Sequence, residues 1–400
     1  MGDNCSTAER RGIIPPFGPL SPMKATLNRS VAILGTGRFL PARVVTNPIL
    51  RDLCSNYDED ASGDFSTWVD RVTHIHERRY VDEEETSGHI GAEAGKRALE
   101  MAGVKATELD LIIFCSFTPA ACVPGDHVLV ADLLGANATP SFTLTAACAG
   151  SVQGMALAYG MIASGTMRRI LVIGAETISP TLDYADPLTA ILFADGAGAV
   201  VMGAVDATEG GMLPPYLGFE FNWENITMNN ANLPFRTTVR VPAQDGCPPA
   251  IEKTYLKMVG GRSVLRNAVN TMAGAVRRVL GYENGAIPAE DFEAMRPRLR
   301  VVPHQANGRI VDGLTKKLGI APERMLKTVH LYGNVSAASN LIALDFSLRE
   351  GNLVADSNPE TGKINAVNTV NEKTQKGDLL VLPSIGAGYL FGAIGFVNTI

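Results

Sequence analysis

The sequence predicts an α/β protein made of two similar halves, and three observations lead there. Short runs rich in β-branched residues alternate with helix-like stretches, the signature of strands joined through helices. Those runs are continuously apolar, as strands covered on both faces are. The end of the first half, ADGAGAVVMGAV, has a counterpart in pattern at the end of the second, GYLFGAIGFVNTI, which reads as a weak internal repeat.

Taken in order, residues 1–30 are rich in Pro, Gly and Ser and lack the apolar segment of a secretory leader. They read as a loose arm lying on the surface or on a partner subunit. The first half, 31–205, opens with the strand VAILGTG, then the helix AEAGKRALEMAG, the strand LDLIIFCSF and the helix DHVLVADLLG. RRILVIGAE and AILFADGAGAVVMGAV complete it as strands. Residues 206–252 are polar and rich in Asn, Pro and Gly, and read as an insertion or cap loop. The second half, 253–400, carries the helices RSVLRNAVNTMAGAVRRVL and DGLTKKLG and the strands RLRVVPHQA and GDLLVLPSIGAG, with a second insertion at about 351–376. Loops this long in a compact domain are binding loops or mobile covers, and otherwise disordered linkers.

Composition narrows the function. With 400 residues, 46% hydrophobic and 19% charged, the chain can bury a sizeable core. A net charge of -6 disfavours a nucleic-acid binder, which needs clustered Lys and Arg, so the expected partners are small molecules or local basic contacts. The 6 cysteines show neither CxxC nor a Cys/His ligand spacing, so no disulfide framework, zinc site or other metal is expected and a reducing cytoplasm fits best. No run of about 18 apolar residues is present, so no membrane span is expected.

Three segments carry candidate chemistry. In SFTLTAACAGSVQGMALAYGMIASG, Cys148 sits between small residues where a strand-like run meets an apolar helix. A helix N-terminus favours a thiolate, the nucleophilic form, and small neighbours leave room for an acyl chain. Taken alone, a cysteine among alanines reads first as an inert packed thiol. VVPHQANGRI places His304 at the end of an apolar strand, where the imidazole either points into a cleft or satisfies a buried carbonyl. HLYGNVSAASNLIALDFSL puts Asn334 in a Gly-Asn turn before a Ser/Ala-rich helix, and a turn Asn is usually only that.

Together, TAACAG, HQAN and GNVSAAS stand in the order found in one family, β-ketoacyl-ACP synthase III of the thiolase superfamily. The resemblance runs from Val31 to Ile400 and includes TPAACVPGDHVLVADLLG, LVIGAET, LFADGAGAVVM, YLKMVGGRSVLRNAV and GAGYLFGA. It implies a five-layered αβαβα thiolase-like fold, a homodimer, and an acyltransferase that loads a primer acyl thioester onto Cys148. The primer is then joined, by decarboxylative Claisen condensation, to a malonyl- or β-ketoacyl-type thioester in fatty-acid or polyketide-type biosynthesis. His304 and Asn334 are implied to stabilise the enolate, and the backbone N–H groups of Cys148 and Ala387 to form the oxyanion hole. No cofactor is implied beyond coenzyme A or phosphopantetheine thioesters as substrates. Trp68 resembles the residue that stacks on the coenzyme A adenine, Val123 the one that crosses the dimer to floor the partner's acyl pocket, and Arg309 a contact for the acyl carrier protein.

The chain also departs from the family. Where relatives carry RTGI, VTHIHERR has Val72 for the Arg and His74 for the Gly, which removes a usual coenzyme contact. The small side chain of Val123 suggests room beyond an acetyl group. These differences and the insertions point to a specialised pathway. Two alternatives remain: acyl transfer from Cys148 to an alcohol or amine, against which His304 and Asn334 argue, and a non-catalytic acyl-binding subunit. A hydroxymethylglutaryl-CoA synthase-like role would need a carboxylic acid near the thiol, and only Asp126 is offered.

Overall fold

The computed structural model describes residues 30–206, 211–222, 226–227, 255–258, 261–282, 288–357, 364–370 and 373–400. The N-terminal arm and most of the 206–252 span fall outside the described residues.

The first half forms a five-stranded sheet from β1 (Ser30–Phe39), β2 (Leu111–Cys115), β3 (Ser141–Leu144), β4 (Arg169–Glu176) and β5 (Gly196–Val205), in the order β1-β5-β4-β2-β3. β2 runs parallel to both β3 and β4, while β5 is antiparallel to β1 and β4. Every residue of β2 is buried, as the unbroken apolar run requires. The second half forms a four-stranded sheet from β6 (Tyr216–Phe219), β7 (Leu299–Val301), β8 (Leu379–Gly386) and β9 (Leu390–Val397), in the order β7-β8-β9-β6.

Helices α1 (Ser87–Ala102) and α2 (Asp126–Leu133) cover the outer face of the first sheet, and α3 (Gly150–Ala163) touches both sheets from between them. Helices α4 (Gly261–Val279) and α5 (Gly308–Leu318) pack together, and α4 lies on the outer face of the second sheet. The last, α6 (Ser339–Arg349), joins α3 in the middle. It packs on β1 and β5, and its Asn340 Nδ2 donates to Val302 and Pro383 carbonyls on the other side. The result is the expected αβαβα stack. Its central core draws Ile33, Met155 and Val172 from one half and Val302, Leu341 and Leu382 from the other.

The predicted helices are present, with caps legible in the chain. Thr86 opens α1 by accepting from the His89 N–H, and Gly103, at φ 62°, closes it. Three segments differ from expectation. The ladder of RLRVVPHQA stops at Val301, so His304 lies three residues beyond the strand. Tyr216–Phe219, within the span read as an insertion, is the edge strand paired to β9. Within 351–376, Asn352–Ser357 and Ile364–Val370 pair as antiparallel strands. A second-half turn, Ser336–Ala338, meets β4 at Gly174, where a Cβ would lie 2.6 Å from the Ala337 carbonyl oxygen.

Candidate active site

Cys148 lies in a single 3-10 turn, Ala147–Ala149, that bridges the end of β3 and the start of α3. The turn is sharp: Ala147 has φ 46°, a left-handed conformation that costs any residue with a Cβ about 1–2 kcal/mol. It is braced from the second half, where Ser384 Oγ donates to the Cys148 carbonyl at 2.8 Å. Gly386 presses on the same turn. A Cβ there would stand 3.0 Å from the Cys148 nitrogen and 2.9 Å from that of Ala149, so no side chain fits without moving the elbow.

β8 is the common rail of the site. Its Pro383 carbonyl accepts the His304 N–H at 2.9 Å, and its Ser384 and Gly386 hold the Cys148 turn. Half-buried Ala387 follows Gly386 directly and opens the next turn, Ala387–Tyr389. Asn334 is fixed through its backbone: its N–H donates to the Leu192 carbonyl at 2.9 Å, and its carbonyl accepts from Ala194 at 3.0 Å. Gly333, at φ 64°, makes the turn that allows this. The Asn334 Oδ1 accepts from the Ser336 N–H at 2.9 Å, so the orientation of the amide is set and its Nδ2 makes no hydrogen bond among the described residues.

Ser336 links this amide to Cys148, since its Oγ donates to Cys148 Sγ at 3.3 Å. The GNVSAAS pattern contained this serine, but its place before a helix read as an ordinary turn.

Burial sets the electrostatics. It pushes the Cys148 thiol up to about 11, while the Ser336 hydrogen bond pulls the other way. Desolvation by both halves therefore opposes the thiolate that a helix N-terminus favours. Burial likewise pushes His304 down to about 3, so its imidazole is neutral, and the buried Nδ1 has no hydrogen-bond partner among the described residues. Glu176, at the end of β4, is pushed up by burial to about 8 and accepts from Thr118 Oγ, Ser116 Oγ and the Phe117 and Thr118 N–H groups. It fixes the turn that follows β2, a role sequence reasoning missed.

Other expected residues stand apart from this set. Trp68 packs against Tyr57, with ring centroids 4.9 Å apart, and against Phe65 at 5.8 Å. Val72, the departure from the family pattern, joins the same apolar cluster. Arg309 is exposed in the first turn of α5, and Val123 is 90% exposed in the loop before α2. Asp126 is buried and committed to Ser87, Gly88, Ala120 and Ala121, which leaves it no part as an acid beside the thiol. Among the described residues, no group of His, Cys, Asp or Glu could hold a metal ion, and no helix is long and apolar enough to cross a membrane.

Residues 142–218 match the family model of 3-oxoacyl-[acyl-carrier-protein (ACP)] synthase III, and residues 299–358 match that of its C terminal region. The chain is 32% identical over 365 residues to β-ketoacyl-[acyl-carrier-protein] synthase III of Rhizorhabdus wittichii, covering 91% of this chain and 98% of that one. The corresponding enzyme of Novosphingobium aromaticivorans is 34% identical at the same coverage, 91% and 98%. The crystal structure of 3-oxoacyl-[acyl-carrier-protein] synthase III from Aquifex aeolicus superposes with a TM-score of 0.72 at 31% identity, over 92% of this chain and 100% of that one. The priming β-ketosynthase of the R1128 polyketide biosynthetic pathway gives 0.73 at 28%, over 92% and 96%.

Proposed function

The chain belongs to the 3-oxoacyl-[acyl-carrier-protein] synthase III family, acyl-condensing transferases of fatty-acid or polyketide biosynthesis, and on that premise we propose that Cys148, His304 and Asn334 are its catalytic set. Cys148 Sγ attacks the carbonyl carbon of a primer thioester carried on coenzyme A or phosphopantetheine. The backbone N–H groups of Cys148 and Ala387 take the oxyanion, and its collapse expels the carrier sulfur, which leaves with the proton that Cys148 gave up. A malonyl thioester then occupies the site with its carbonyl oxygen against His304 and Asn334. Loss of carbon dioxide leaves an enolate whose carbon attacks the acyl group on Cys148, and the released thiolate takes up a proton.

The observation that carries this reading is the Asn334 amide, whose oxygen is already committed, together with an imidazole at His304 that burial keeps neutral. The Asn334 Oδ1 accepts from Ser336, so the amide offers only its N–H groups, and a neutral imidazole has one N–H to give. Two donors and no fixed positive charge suit an oxygen that gains charge only in the transition state.

The same reading assigns the remaining expectations. Two pseudo-repeated halves, 31–205 and 253–400, supply the nucleophile and the enolate donors. β3 is the outer strand of its sheet, with half-exposed side chains, and Val123 stands 90% exposed nearby. A second copy docking there would pair the open edge and bury Val123 at the floor of its acyl pocket, which makes the enzyme a homodimer. Trp68 stacks on the adenine of coenzyme A, and Arg309 contacts the acidic carrier protein. The free cysteines among the described residues, Cys54, Cys115, Cys122 and Cys148, suit a reducing cytoplasm.

His304→Ala and Asn334→Ala test the division of labour. Each variant is expected to accept an acyl group on Cys148 yet form condensed product about 100-fold or more slowly, followed as carbon dioxide release from malonyl thioester. Normal release with failed loading would contradict the assignment.

A further inference from the structure

We propose that Ser336 is a catalytic residue of this site, its hydroxyl donating a hydrogen bond to the Cys148 sulfur that holds it for attack and stabilises the thiolate formed on the way. The inference rests on the reading of Cys148 as nucleophile. Its geometric basis is direct. Ser336 Oγ lies 3.3 Å from Cys148 Sγ, and Ser336 is 0% exposed, so no water competes for that hydroxyl.

The backbone supports a functional placement. Ser336 has φ 45°, a left-handed conformation that a residue with a Cβ holds only when its surroundings enforce it. Here they do: the Ser336 N–H donates to Asn334 Oδ1 at 2.9 Å, and the Val335 N–H donates to Ser339 Oγ at 3.1 Å. Glycine would take this conformation at no steric cost and suffice for the Asn334 bond, which uses only the main chain. What the serine adds is the hydroxyl, aimed at sulfur. Burial pushes the Cys148 thiol up to about 11 and the Ser336 hydrogen bond opposes that shift, so the hydroxyl matters at neutral pH, where thiolate is scarce.

One residue thereby serves both half-reactions. Its hydroxyl steadies the sulfur for loading, and its N–H fixes Asn334 so that the amide donor faces the extender. Loss of the hydroxyl should weaken the first function while leaving the fold and the main-chain bond in place.

Ser336→Gly removes the hydroxyl and suits φ 45°, and Ser336→Ala removes it with the strain kept. The rate of iodoacetamide addition to Cys148 would be followed by peptide mass spectrometry from pH 7 to 10.5 in the full chain, with acyl loading from acyl-CoA and the thermal midpoint measured alongside. A hydrogen bond to a charged group shifts the thiol by about one to two pH units, partly offset by the greater nucleophilicity of the more basic thiolate. Both variants should therefore alkylate about 3- to 10-fold more slowly, by a nearly constant factor, since the whole range lies below the wild-type thiol's value of about 11. Rates equal to wild type at every pH, or slowed only together with a fall in the thermal midpoint, would overturn the role of Ser336 while leaving Cys148 as nucleophile. Wild-type protein whose Cys148 neither alkylates nor loads would sink both readings.

Discussion

At the scale of single residues, two buried histidines make the protein sensitive to acid. Burial pushes both His304 and His330 from 6.5 down to about 3, and His330 Nε2, like His304 Nδ1, is buried without a partner among the described residues. Between pH 6.5 and 3 the unfolded chain binds protons that the folded one refuses, so stability is present above pH 6.5 and is lost progressively as the pH falls. Stability from urea unfolding at pH 7 and pH 4.5 should carry a loss of about 2 kcal/mol or more per histidine, offset in part by Glu176, which burial pushes up to about 8 and which gains stability over the same range. His330→Phe, which keeps a ring of similar bulk and removes one titrating group, should flatten that slope; an unchanged slope would contradict the burial argument. Cys148, His304 and Asn334 could be proposed from the sequence because each sits in a distinctive short motif. The state of the thiol and the contact with Ser336 were not, because both depend on side chains brought from the other half of the chain.

At the scale of elements, the site is an assembly of turns pressed against strand ends. Gly174 in β4 lets the Ser336–Ala338 turn approach, with only 2.6 Å between a would-be Cβ and the Ala337 oxygen. Gly174→Ala should cost about 1–3 kcal/mol by overpacking and, because the turn it displaces carries Ser336, should slow acyl loading as well. Lost stability with wild-type loading would mean that the turn does not position the nucleophile. Strands such as β2 and β4 were readable because a continuous apolar run bounded by turn residues suits little else in a sequence of this alternation. Tyr216–Phe219 and the 352–370 pair were not, since short segments surrounded by Asn, Pro and Gly carry no periodicity of their own and owe their pairing to a neighbour.

At the scale of the whole molecule, neither half is self-sufficient. The first contributes the Cys148 turn and the Leu192–Ala194 segment that holds Asn334. The second contributes His304, Asn334, Ser336 and the β8 rail, and the central core is drawn from both. The proposed dimer extends this sharing to a second copy. Val123→Glu places a charge on the face proposed to be buried and is expected to shift sedimentation from dimer to monomer, with loading of longer acyl groups reduced. A variant that stays dimeric and fully active would place the interface elsewhere. Fold class and internal repeat were legible at this scale from the alternation and the matching ends, whereas the contacts that join the halves were not, because the chain segments that make them lie far apart in sequence.

Cys148 is proposed to carry an acyl group that a malonyl-derived carbanion then removes. Intact-protein mass spectrometry of wild type and Cys148→Ala, exposed to acyl-CoA and acyl-carrier thioesters and then chased with malonyl thioester, tests it most directly. A mass gain is expected on wild type alone, discharged by the chase with release of carbon dioxide. Acylation that survives malonyl thioester but is discharged by an alcohol or an amine would contradict it.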